Sequence, residues 1–418
     1  MNKILILCDL FPPAFAPRMG YLCKYLQQLG WSPTVLTETV EDENAFSFLA
    51  GQCPVTRINY HTAQGKTGKK WQWLYVFVLD FCFDYKDRRM AKVADKLCRG
   101  NKFDILLCSS YRDFPLIAAQ KTACKHKIPL VIDLRDIIEQ FTGHEYITHR
   151  LPAFCGLDKL FAAAFKWKSL GRRRRALAKA ACVTTVSPWH VEMLRPYNPR
   201  VELLYNGYDP ELFYPEQKTT RQFIITYTGR LVSTAMRDPQ LLTDALTILS
   251  GEGLITPGNC RLHWYVDEAS QTVLEGVFEK AGLLAYMDFK GYAPANNIPE
   301  ALNDSSLLLL LANKAFGSGP KGIMTTKIFE YFAVEKPILC VRSDESYLAE
   351  LLDETKAGLA ATRVEEVCDF IRHYFRQWQE KGYTSVAVNR EVANAFSRSK
   401  QAEQFIRLFT QLIQIHHG

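Results

Sequence analysis

The chain has no G-x-G-x-x-G after its first apolar strand, which leaves a dinucleotide cofactor without support. No apolar run approaches the roughly 20 residues that a membrane-spanning helix needs. Residues 71–83 come nearest, but the run is too short and Asp80 interrupts it. The 12 cysteines include no Cys-x-x-Cys pair, and Cys8, Cys108 and Cys340 lie inside apolar stretches. Buried thiols in a reducing compartment account for them, and neither a zinc site nor a disulfide framework is indicated. The nine histidines include no pair at metal-ligand spacing, so no metal is expected. We find no internal repeat and no low-complexity tract. The first strand follows Met1-Asn2-Lys3 directly. That leads us to expect no signal peptide and a cytoplasmic location.

What is present is an alternation of apolar runs with segments of helical spacing. Ile4-Leu5-Ile6-Leu7-Cys8 reads as a buried strand, and Leu22, Tyr25, Leu26 and Leu29 form one helix face ending at Gly30. Thr34-Val35-Leu36-Thr37 completes a βαβ unit. Further strands are predicted at 104–109, 129–133 and 182–187. After Asn206-Gly207 the pattern restarts, with strands at 223–228, 261–266, 288–291, 307–311 and 337–341. A chain of 418 residues is long enough for two domains, each with its own core. The expected organisation is α/β with two Rossmann-like domains, 1–204 and 205–396, and a last amphipathic helix at about 397–416 packing back on the first.

Two segments carry phosphate-binding chemistry. In Thr325-Thr326-Lys327-Ile328-Phe329-Glu330-Tyr331-Phe332-Ala333, a Thr pair precedes a helix with Ile328, Phe329, Phe332 and Ala333 on one face. Free N–H groups at a helix start can hold a phosphate, with Lys327 adding a charge and Glu330 placed for ribose hydroxyls. The second segment is Tyr227-Thr228-Gly229-Arg230-Leu231, with Arg237 a few residues on. Arginine binds phosphate oxygens in a bidentate way. Ordinary surface charges remain the alternative for both segments.

These segments, with Phe11-Pro12-Pro13, Arg18 and the Asn-Gly-Tyr-Asp…Phe-Tyr-Pro run at 206–215, resemble the retaining glycosyltransferases of family 4. The resemblance implies the GT-B fold, two Rossmann-like domains facing across a cleft, and transfer from a nucleotide-diphosphate sugar without metal or cofactor. It implies a donor site of Arg230, Arg237, Thr326, Lys327 and Glu330, to which we add Tyr292. Members usually carry a second glutamate eight positions before Glu330, where this chain has Gly322. Backbone amides from Gly319 to Thr326 are the expected substitute. Arg230 and Lys327 are expected to stabilise the leaving diphosphate.

On the acceptor side, Asp133-Leu134-Arg135-Asp136 ends a parallel strand, where α/β ligands bind. Asp136 could orient or deprotonate an acceptor hydroxyl, making it the third catalytic candidate. Arg135 could hold an acceptor phosphate or simply pair with Asp133. Arg18 and His144 complete the acceptor-side set. Residues 157–181 carry eight basic side chains against Asp158 alone, an excess equal to the chain's net +7. With Leu157, Leu160, Phe161, Phe165 and Trp167 they read as a basic amphipathic helix. Such a helix can lie on an anionic membrane, with Arg172, Arg173, Arg174 and Arg175 as the contact patch. A solvated face over a packed core is the competing reading, and no nucleic-acid fold accompanies the patch.

The resulting expectation is a glycosyltransferase moving a sugar onto a saccharide or lipid-linked saccharide in cell-surface polysaccharide synthesis. It would be a monomer or dimer, peripheral on the inner face of the plasma membrane. A GT-B sugar-nucleotide epimerase and an inactive membrane adaptor are the alternatives; the basic helix argues against the first, the retained donor residues against the second.

Overall fold

The computed structural model describes the chain except residues 15, 40–45, 63–64, 141–156, 232, 235–236, 313–323, 342–345 and 418. The chain forms two compact units, residues 1–205 with 401–418, and residues 206–400.

The first unit is a parallel sheet flanked by helices. Its strands are β1 (Lys3–Cys8), β2 (Ser32–Glu38), β3 (Val55–Ile58), β4 (Ile105–Ser110), β5 (Leu130–Leu134), β6 (Cys182–Thr185) and β7 (Val201–Leu203). They lie in the order β3-β2-β1-β4-β5-β6-β7. Its helices are α1 (Pro17–Gln28), α2 (Lys66–Phe83), α3 (Tyr85–Gly100), α4 (Leu116–His126), α5 (Leu157–Leu177) and α6 (Pro188–Leu194). Central strands such as β4 and β5 are buried along their whole length, as parallel strands covered on both faces must be. The core joins Leu5 and Leu7 of β1 to Leu106 of β4, Ile132 of β5 and Met90 of α3.

The second unit repeats the plan. Its strands are β8 (Phe223–Thr228), β9 (Cys260–Tyr265), β10 (Met287–Phe289), β11 (Leu307–Leu311), β12 (Ile338–Val341) and β13 (Gly358–Ala361). Their order is β10-β9-β8-β11-β12-β13, again parallel. Its helices are α7 (Gln240–Gly251), α8 (Glu268–Lys280), α9 (Ile298–Asn303), α10 (Thr326–Ala333), α11 (Ser346–Thr355), α12 (Val364–Lys381) and α13 (Arg390–Asn394). The Asn-Gly-Tyr-Asp run has a local reason. The Tyr208 N–H donates to the Phe396 carbonyl at 3.1 Å and the Arg398 N–H to the Tyr208 carbonyl at 2.7 Å. A Cβ on Gly207 would stand 2.0 Å from that Phe396 oxygen, so only glycine lets the two segments meet.

The last helix, α14 (Arg398–His417), begins in the second unit, and its residues from Gln401 onward belong to the first. There Phe405 and Phe409 are buried, and Phe409 meets Trp31 with ring centroids 5.8 Å apart. Strands β3, β7 and β13, which the apolar pattern did not reveal, all lie at sheet edges. Their partly exposed residues carry a weak hydrophobic signal. The apolar run 71–83 forms most of α2, and no helix among the described residues is long and apolar enough to cross a membrane.

Candidate active site

In each sheet the strand order reverses at one point, between β1 and β4 and between β8 and β11. Loops diverge there at the carboxyl ends of the strands, leaving a crevice for ligands.

In the second unit that crevice is basic. β8 ends at Thr228, and Gly229 follows with φ +99. A Cβ there would lie 2.4 Å from Lys327 Nζ, so the missing side chain is what lets Lys327 cross the loop. The Lys327 ammonium sits 4.6 Å from the Tyr227 ring centroid and donates to its hydroxyl at 3.4 Å. Arg237 donates to the same hydroxyl at 3.2 Å and to the Arg230 carbonyl. The Arg230 guanidinium reaches out to Asp267 at 3.1 Å and is 76% exposed. Burial, followed by the nearby Arg237 charge, lowers the Lys327 pKa to about 7. Burial raises Glu330 to about 7 against the opposing pull of Arg398 and Lys327. Burial disfavours the charged form of each group, which brings both near neutrality. Thr325 is the N-cap of α10 in extended conformation, and its side chain makes no capping hydrogen bond. Tyr292 is 65% exposed beyond β10. Gly322 and most of the amide run from Gly319 lie outside the described residues.

In the first unit the crevice is lined by residues just beyond the strand ends. Asp9 accepts from the Tyr111 N–H at 3.0 Å and stands 3.8 Å from Arg135. Asp136 accepts from the Gln140 side-chain amide at 2.7 Å, and burial raises its pKa. Gln140 is itself fixed, because its oxygen accepts from the Ile137 N–H at 3.2 Å and faces His190 Nε2 at 3.0 Å. Burial lowers His190 to about 4, so it is neutral near pH 7. Asp136 is thus a carboxylate held in one orientation, with its proton affinity shifted towards that of a base. The same crevice continues into a cavity of about 780 Å³ bounded by α2 and α5.

Three expectations are corrected here. Arg18 does not face an acceptor. It is buried, donating to both Asp133 oxygens at 3.0 Å and to the Leu204 and Tyr205 carbonyls. Arg135 does not pair with Asp133, which Arg18, Ser109 and Thr184 already saturate. Arg172 and Arg173 are not part of a surface patch: both are buried. Arg172 contacts Asp80, Asp84, Asp87 and Asp113, and Arg173 pairs with Glu139. The Arg172 guanidinium inside α5 offsets those aspartates, and Lys168 also pairs with Asp84 at 3.4 Å. Arg174 and Arg175 are exposed. His144 lies outside the described residues.

Asp9, Tyr111 and Arg398 were missed from the sequence. Asp9 and Tyr111 had a signal, since each directly follows a parallel strand. Arg398 had none, because only folding brings it near Glu330.

Residues 18–212 match the model of Glycosyltransferase Family 4. Among solved structures, HepE of Anabaena in complex with UDP and glucose aligns with TM-score 0.62 and 17% identity. That alignment covers 98% of this chain and 100% of HepE. A glycosyltransferase from Rickettsia africae gives 0.61 and 14%, covering 99% of this chain and 98% of its own. Sucrose-phosphate synthase of Thermosynechococcus elongatus gives 0.56 and 13%, covering 99% and 100%. No curated protein matches the chain. The fold is therefore that of GT-B glycosyltransferases. The chain is a glycosyltransferase, and its likeness to family 4 is carried by residues 18–212, a little under half of its length.

Proposed function

We propose that the protein transfers a sugar from a nucleotide-diphosphate sugar to a lipid-linked saccharide, with retention of anomeric configuration, in cell-surface polysaccharide synthesis. The observation that carries this reading is the meeting of Lys327, Gly229 and Arg237 at the switch point of the second sheet. A diphosphate there would meet the N–H groups at the start of α10, the Lys327 ammonium and the Arg237 guanidinium, with exposed Arg230 free to swing in from Asp267. These charges stabilise the leaving group as its negative charge develops, so the reaction needs neither metal nor cofactor. Glu330 accepts from the ribose hydroxyls. The departing phosphate takes the acceptor proton on the face that the sugar leaves, which keeps the configuration. Asp136 orients the acceptor hydroxyl.

HepE was solved with UDP and glucose, and in another structure with UDP-glucose, which makes uridine donors the first to try. A thermal-shift panel of UDP-, GDP-, dTDP- and ADP-sugars tests the donor class. One of them should raise Tm, and EDTA should leave turnover unchanged. A panel without any shift, or equal donor affinity in Lys327→Ala and parent, overturns the donor assignment. NMR of the product's anomeric proton tests retention.

A further inference from the structure

The cavity between α2 and α5 is unlike the rest of the first unit's crevice. One wall is α2, with Trp73, Phe77 and Phe81 one turn apart, and the other is α5, with Phe161 and Phe165. Their rings form a continuous stack. Trp73 and Phe77 lie 5.3 Å apart, Phe77 and Phe165 6.4 Å apart and nearly parallel at 8°, and Phe81 and Phe161 5.6 Å apart. From Trp73 to Phe81 the wall runs about 12 Å at the rise of an α-helix. The volume, about 780 Å³, falls within the range of small-molecule sites. Outside the groove the two helices stay apolar: Trp71, Tyr75, Leu160 and Trp167 are each more than 60% exposed. Among the described residues, every exposed charged side chain on these helices is a cation, namely Lys69, Lys159, Arg174 and Arg175. A core element needs none of this apolar exposure, and a surface for a neutral hydrocarbon needs no charge of one sign.

We propose that this groove holds the apolar chain of a phosphate-bearing lipid, with the phosphate held by the cationic side chains of α2 and α5. The proposal rests on the lipid-linked acceptor reading for its biological meaning, but not for its chemistry. The chain lies along the aromatic stack.

Calorimetric binding of decyl phosphate, dodecyl phosphate, decanol and inorganic phosphate, each below its micellar concentration, tests it without donor or turnover. Burying each methylene contributes about 0.8 kcal/mol, roughly a fourfold change. Dodecyl phosphate should therefore bind about fifteenfold tighter than decyl phosphate, with decanol weaker and inorganic phosphate weakest. Leu74→Arg and Val78→Arg place a charge at the groove mouth, where the native residues are 43% and 47% exposed, so the fold tolerates them. Both should abolish the chain-length dependence while leaving Tm within a few degrees. Equal affinity for the two alkyl phosphates, or unchanged binding in both variants, overturns the proposal. So does loss of anionic-vesicle co-sedimentation in Leu74→Glu with dodecyl phosphate binding intact, which would make the surface a bilayer contact only. A protein that binds dodecyl phosphate here yet glycosylates only lipid-free saccharides keeps the groove and loses the lipid-linked acceptor.

Discussion

Donor binding should move protons, and the direction should reverse with pH. With a pKa of about 7, Lys327 is about one-tenth protonated at pH 8. Diphosphate oxygens beside it favour the ammonium, so binding at pH 8 should take up about 0.9 proton from this group. Glu330, also at about 7, is already about nine-tenths ionised at pH 8 and can release only about 0.1. The net expectation is uptake of about 0.8 proton. At pH 6 both groups are about nine-tenths protonated, so Lys327 has little to gain. Glu330 must ionise to accept from ribose, giving net release of similar size. A nucleotide sugar is the right ligand, because the terminal phosphate of a free diphosphate would itself titrate near 6. The assay is calorimetry in two buffers of different ionisation enthalpy, where the slope of observed enthalpy gives the proton count. Lys327→Met should remove the uptake at pH 8, and Glu330→Gln the release at pH 6. By linkage, donor affinity of the parent should fall about tenfold per unit above pH 7. Buffer-independent enthalpy at pH 8, or the same slope in Lys327→Met, would refute the placement of the diphosphate at Lys327.

Other outcomes follow from buried charges and close contacts. Asp133→Ala strands the Arg18 guanidinium in the core and should cost about 3–5 kcal/mol in urea unfolding, while removal of an acceptor contact would have left stability unchanged. Gly229→Ala, at φ +99 and in collision with Lys327 Nζ, should lower donor affinity at least tenfold, measured by calorimetry, with the sheet intact by circular dichroism. Arg172→Gln should unfold the first unit at lower urea, whereas Arg174→Gln with Arg175→Gln should leave Tm unchanged and weaken binding to anionic vesicles in a salt-dependent way. Burial lifts Asp87 from 3.8 to about 7 despite Arg172 and the Ala118 N–H, with the Asp113 and Asp80 charges adding to the rise. A carboxyl raised on folding stabilises at low pH, and that contribution fades as pH climbs from about 4 through 7. Asp87→Asn should flatten the loss of stability over that window in urea titrations at pH 5 and 7.

The sequence by itself determined the strands that lie inside the sheets. Residues 223–228 and 307–311 were legible as β8 and β11 because a strand covered on both faces is largely apolar. It also determined the helix at Lys327 and Glu330, through apolar spacing and a proline stop. Edge strands such as β3 were not legible, since half-exposed residues follow no pattern. Only the tertiary structure decided which charges are buried. In the sequence Arg172–Arg175 is one basic run. In the fold, Arg172 and Arg173 point inward to aspartates and a glutamate contributed by α2, α3 and three connecting segments, while their neighbours stay in water. Arg18 is the same case, its partner lying 115 residues away. Helical periodicity gives the face of a side chain, but the charge that faces it comes from another element. An ion pair's partner is fixed by the packing of distant segments, and no local pattern encodes it.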